Sequence, residues 1–197
     1  MAHHARKASE EVLSRLRKKK DRRTPPQIPI RKQLRKTLCR LLTGIGCRLA
    51  LAEPMPSVVR CAAGELLQPC RGRLIKREQI PDETFASGIL GDGVGVEPEE
   101  GLVVAPCDGT VILVSDTKHA VTLEKDGMEV LIHIGVNTVN MRGEGFTAFV
   151  EDGQKVEAGD RLLGFDREAI RKAGHSDTVV MLLTNSGELE GVECGRK

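Results

Sequence analysis

The 197-residue chain contains no Trp, no Tyr and only four Phe. That scarcity argues against a nucleic-acid surface built on base stacking and leaves any core to aliphatic side chains. Long hydrophobic runs are missing too. The longest, Leu41 to Ala52, is interrupted by Arg48 and falls short of the ~20 apolar residues a helix needs to cross a bilayer. The first residues, Met1 to Glu11, are too charged for a secretory signal. Six Cys (39, 47, 61, 70, 107 and 194) form neither CxxC nor a metal-type spacing. The expectation is therefore free thiols in a reducing cytoplasm rather than a disulfide framework.

What is present is unevenly spread. The 30 basic and 28 acidic side chains nearly balance, but residues 1–60 hold 16 Lys/Arg against 4 Asp/Glu, and residues 61–197 hold 14 against 24. Nineteen of the 21 Gly lie in the second part. The chain divides accordingly into a basic extension, 1–60, and a glycine-rich domain, 61–197. In the extension, Ser9 can cap a short helix carrying Val12, Leu13 and Leu16. A basic run from Arg15 to Arg23 follows, and Pro25, Pro26 and Pro29 end helix there. Leu34, Leu38, Leu41, Leu42 and Ile45 then recur at helical spacing among Lys32, Arg35, Lys36 and Arg40. Three readings stand for this part. A solvated, partly helical or disordered extension is favoured; contact of residues 31–52 with an anionic membrane surface comes second; nucleic acid is third, with no specific contact expected.

From Leu66 onward, short apolar runs alternate with turn signals. Leu74-Ile75, Val94-Gly95-Val96, Leu102 to Val104, Val111 to Val114, Val130 to Ile132 and Val179 to Leu183 are separated by Pro81-Asp82, Gly91-Asp92-Gly93, Asp108-Gly109 and Gly159-Asp160. This texture predicts an all-β domain, an antiparallel sandwich or barrel-like hybrid with short helical turns. Only Asp166 to Ala173, closed by Gly174, reads as helical.

One hairpin carries chemistry. Two strand-like runs, His119 to Glu124 and Met128 to His133, flank Lys125-Asp126-Gly127. A three-residue loop ending in Gly predicts a type I turn with a bulge. Pairing Glu124 with Met128 then sets His119 opposite His133 on one face, with Thr117 two residues upstream on the same face. Paired imidazoles admit three readings. One ring can be a nucleophile toward phosphorus while the other donates to the phosphoryl oxygens, with Thr117 fixing its tautomer. Both can bind a metal, Asp116 or Glu129 supplying further ligands. Or they are incidental. His3, His4 and His175 have only the incidental reading.

Thr117-Lys118-His119-Ala120, then Ile132-His133-Ile134-Gly135 and Gly143-Glu144-Gly145-Phe146, resemble the glucose-family enzyme IIA domain of the bacterial phosphoenolpyruvate:sugar phosphotransferase system. Ile80-Pro81-Asp82, Phe85, Gly91-Asp92-Gly93, Ala105 to Thr110, Glu151 to Val156 and Ala158-Gly159-Asp160 fit in order, so the resemblance runs from about Leu66 to Val192. It implies a phosphoryl carrier in which His133 takes the group from the histidine phosphocarrier protein and passes it to a cysteine on the IIB domain of a sugar permease. It implies His119 as the stabilising ring, Thr117 as the hydroxyl that orients it, and Gly135 as the carbonyl behind His133. Asp82, Phe85, Leu131, Ile134 and Val136 would rim the docking surface. No cofactor or metal is implied beyond the phosphohistidine, and the setting would be the cytoplasm, at or near the inner face of the membrane. Asn137 departs from the pattern, standing where many relatives are acidic. A regulatory binding module on the same fold is the alternative, and a zinc-peptidase-like domain a more distant one. A biotinyl or lipoyl carrier is disfavoured because Lys125 lacks the expected neighbourhood.

Overall fold

In the computed structural model, residues 58–61 and 64–185 are described. The helices expected around Ser9 and over residues 31–45 lie outside them.

Among the described residues, twelve strands are joined by short turns and by three longer connections that carry the short helices and 3-10 turns. A seven-stranded antiparallel sheet contains β3 (Gly72–Lys76), β4 (Asp92–Pro98), β6 (Gly109–Val114), β7 (Ala120–Lys125), β8 (Met128–Ile134), β10 (Lys155–Val156) and β12 (Val179–Leu183). Its order is β10-β6-β7-β8-β12-β4-β3. A three-stranded sheet places β11 (Arg161–Phe165) between β5 (Leu102–Val104) and β9 (Phe146–Ala148). A small ribbon pairs β1 (Val58–Cys61) with β2 (Gly64–Leu67). The all-β sandwich expected from the short punctuated runs is the architecture observed.

Strand alternation assigns the two faces of the large sheet different tasks. Val130, Ile132 and Ile134 of β8, Val121 and Leu123 of β7, and Val179, Met181 and Leu183 of β12 point into one core. There they meet Val103, Phe146, Leu162, Leu163 and Phe165 from the small sheet. Intervening residues face the other way, in two smaller apolar clusters. One holds Ile112, Leu113, Ala120 and Leu131; the other holds Ile75, Ile80, Phe85, Leu90, Val180 and Leu182. His133 belongs to this outer face, between them.

The two helices among the described residues are short. α2 (Arg167–Lys172) is the predicted helical turn, capped by the Asp166 carboxylate on the Glu168 and Ala169 amides. α1 (Glu83–Ala86) went unpredicted, as did 3-10 turns at Arg77–Gln79 and Thr138–Met141. These segments are too short for an apolar periodicity to register. In α1 the Asp82 side chain accepts from the Phe85 amide, which fixes the entry of the helix.

The hairpin differs from its expected form. Lys125 pairs with Met128, leaving a two-residue loop in which Asp126 has φ 51° and Gly127 φ 87°. Both centres are left-handed, as a type I′ turn requires, and this turn matches strand twist better than the longer loop. The register moves by one residue, so Ala120 rather than His119 lies opposite His133.

Candidate active site

The two imidazoles nevertheless meet. Their ring centroids are 4.8 Å apart with an interplanar angle of 83°. A one-residue slip in a regular strand would send His119 to the far face. His119, however, precedes β7 and follows Lys118, whose φ of 57° breaks the alternation. The Lys118 amide donates to the Ser115 carbonyl at 2.8 Å, and the Ser115 amide to the Ala120 carbonyl at 2.9 Å. This closed turn brings His119 onto the outer face beside Ala120.

His133 lies between small cross-strand neighbours, Ala120 on β7 and Val180 on β12. The Phe85 ring leans on it at 5.0 Å and 55°. Its Nδ1 is 2.9 Å from the Gly135 carbonyl. A carbonyl only accepts, so Nδ1 carries the hydrogen and Nε2 keeps the lone pair. Gly135 is in the left-handed region, φ +73°, and a Cβ there would sit 2.4 Å from Thr138 Cγ2 and 2.6 Å from the Ser176 carbonyl oxygen. Thr138, fully buried, ties this turn by donating Oγ1–H to the Ile134 carbonyl at 2.6 Å.

His119 is likewise held at Nδ1. Thr117 Oγ1 and Ser115 Oγ both hydrogen-bond Nδ1, the latter at 3.2 Å. Nε2 is buried and has no partner. Burial lowers the pKa of His119 to about 3, with His133 pushing the same way. Burial also lowers that of His133 to about 4, against the opposing pull of the Gly135 bond and of Asp82. Burial favours neutral rings at ordinary pH, and a neutral imidazole with a free lone pair is a competent nucleophile.

The remaining expected site residues separate by depth. Asp82 is half-buried and caps α1, which presents Phe85 to His133; Phe85 is 2% exposed and is a wall of the site, not a rim. Leu131 is buried among Ile112, Leu113 and Ala120. Ile134 points into the main core, away from His133, and so cannot rim a docking surface. Val136 is buried just past the Gly135 turn. Glu129 lies at the loop end of the hairpin, its carboxylate reaching toward Thr184, and does not join the histidines as a metal ligand. Among the described residues no group of three or more His, Cys, Asp or Glu is placed to hold a metal. Cys70 and Cys107 are buried thiols outside any disulfide, and burial pushes the Cys70 thiol up to about 12. Sequence reasoning missed Ser115 and Thr138. The alternation Ser115-x-Thr117-x-His119 was the available signal for the first.

Residues 64–189 match the family described as phosphoenolpyruvate-dependent sugar phosphotransferase system, EIIA 1. The chain belongs to this family. It is a phosphoryl carrier of the sugar phosphotransferase system. The PTS system glucose-specific EIIA component of Bacillus cereus is 43% identical over 129 residues, covering 65% of this chain and 78% of the relative. The glucose-specific EIIBCA component of Corynebacterium glutamicum is 43% identical over 144 residues, covering 70% of this chain and 21% of that much longer one. EIIA domains work with IIB domains, and that relative carries both names in one polypeptide. The solved glucose permease IIA from Mycoplasma capricolum superposes with a TM-score of 0.57 at 32% identity, covering 66% of this chain and 88% of that one. No helix among the described residues is long and apolar enough to cross a membrane.

Proposed function

We propose that this EIIA domain carries its phosphoryl group on Nε2 of His133. It would receive the group from the histidine phosphocarrier protein and deliver it to the cysteine of a permease IIB domain. The observation that supports this most directly is the bond from His133 Nδ1–H to the Gly135 carbonyl. It leaves the lone pair on Nε2, beside a second imidazole whose own Nε2 is unpartnered.

The exchange is a displacement at phosphorus. The Nε2 lone pair forms the new N–P bond as the donor's N–P bond breaks, and the departing electron pair returns to the donor imidazole. In the onward step a IIB thiolate attacks phosphorus and the pair returns to Nε2 of His133. Little covalent work falls to the protein, so positioning and charge stabilisation dominate. His119, oriented by Thr117, donates Nε2–H to a phosphoryl oxygen. The arriving negative charge also favours its protonated form, reversing the effect of burial. Phe85 and Val180 keep water from the ring of His133. The covalent phosphohistidine is the only intermediate, and no separate cofactor enters. This chemistry fits the cytoplasm, at or near the membrane face where the permease presents IIB.

The test is incubation of the full chain with labelled phosphoenolpyruvate, the general enzyme and the phosphocarrier protein. The expected result is acid-labile label on the wild type and none on a folded His133→Ala variant; label retained by that variant refutes the assignment. A His119→Gln variant should take label but pass it to IIB slower by about 10²-fold or more, the scale of a lost positioned donor.

A further inference from the structure

Ser115 is a buried polar residue at the site with no part in the transfer just described. It follows β6 and is 8% exposed. Its Oγ accepts from the Ala120 amide at 3.0 Å and lies 3.2 Å from His119 Nδ1. A hydroxyl has one hydrogen to donate and two lone pairs. The Ala120 amide occupies a lone pair, so the hydroxyl hydrogen needs an acceptor of its own.

The two tautomers of His119 meet that need differently. With hydrogen on Nδ1, the ring donates to a hydroxyl and offers Ser115 no lone pair there. The Ser115 hydrogen is then stranded in a buried place, which costs free energy. With hydrogen on Nε2, the Nδ1 lone pair accepts from Ser115, and Thr117 approaches the same nitrogen. We propose that Ser115 is a second positioning residue for His119, donating Oγ–H to Nδ1 so that the ring keeps its hydrogen on Nε2. This rests on the reading of His119 as the ring that steadies the phosphoryl group, because only the Nε2–H form can donate to it. The arrangement is redundant, since either hydroxyl can satisfy Nδ1.

Nitrogen-15 NMR of the full chain, labelled at histidine and unphosphorylated, reads the tautomer directly. Burial keeps His119 neutral across the ordinary pH range, so a protonated and an unprotonated ring nitrogen are distinguishable. In the wild type, Nε2 should carry the hydrogen. In Thr117→Val it should still do so, with onward transfer to IIB reduced no more than about tenfold, the scale of one modest hydrogen bond. Thr117→Val/Ser115→Ala should show mixed tautomers and a transfer loss larger than the product of the single losses. Thr117→Val/Ser115→Thr, which restores a hydroxyl, should recover the single-variant tautomer. A wild type with hydrogen on Nδ1, or a Thr117→Val variant whose hydrogen moves there, overturns the proposal. Ser115→Ala also strands the Ala120 amide and can fail to fold; Thr117→Val alone then decides. The NMR readout needs no phosphoryl donor, so failure of His133 to take label is a separate result.

Discussion

At His133 and His119 two opposed influences meet in side chains that touch. Burial resists the imidazolium, and a phosphoryl group carried on His133, as proposed, would call for it. Before transfer burial prevails, lowering the two pKa values to about 4 and about 3. In the unfolded chain both rings titrate near the ordinary His value of ~6.5. Below that pH the unfolded state binds protons that the folded site refuses, so stability falls as pH drops from about 6.5 toward 4. Each proton contributes a slope of about 1.4 kcal/mol per pH unit within its window. Urea unfolding measured from pH 7 to pH 4 should show this loss in the wild type and a shallower one in His119→Gln/His133→Gln. Equal slopes in the two proteins would place the proton uptake elsewhere. Cys70, in the main core, follows the same rule with opposite sign of charge: burial keeps its thiol protonated.

At the level of elements, the site depends on three turns around one strand. The type I′ turn sets β7 against β8, the Ser115–Ala120 turn delivers His119, and the Gly135 turn supplies the carbonyl behind His133. Gly135→Ala should damage the last of these. It forces a side chain to φ +73° and places a Cβ 2.4 Å from Thr138 Cγ2, with a cost on the order of 1–3 kcal/mol from backbone strain alone. A lower melting temperature and slower labelling of His133 are expected together. A stable variant with unchanged labelling would show that the carbonyl is dispensable. The strands themselves were legible because apolar runs and glycine punctuation are strong local signals. The hairpin was recognisable but its register was not. Lys125-Asp126-Gly127 is compatible with two loop lengths, and only strand twist chooses the shorter. The histidine pairing survived because a second departure, the left-handed Lys118, compensates the first. Phe85 was visible as an apolar residue near Asp82, but not its contact with His133, which depends on a helix of only four residues. Ile134 illustrates the converse: its place beside His133 in sequence puts it on the opposite face in the sheet.

On the scale of the molecule, the charge division after residue 60 falls just before the start of the family match at residue 64. Val58 to Arg60 pair with β2 and so go with the domain; we propose that the residues before them form a separable basic extension and that the domain works without it. A chain beginning at residue 58 should accept label from the phosphocarrier protein at a rate within about twofold of the full chain. A folded truncation that no longer accepts label would tie the extension to the transfer reaction. An unchanged acceptor rate with weaker recovery on anionic vesicles would instead tie lipid contact to the extension.

The alternation along β8 has a consequence for how this protein can change over time. Val130, Ile132 and Ile134 answer to the interior, while Leu131 and His133 answer to the outer face. One strand thus serves two faces, so a change of side chain at His133 leaves the interior contacts of Val130, Ile132 and Ile134 in place.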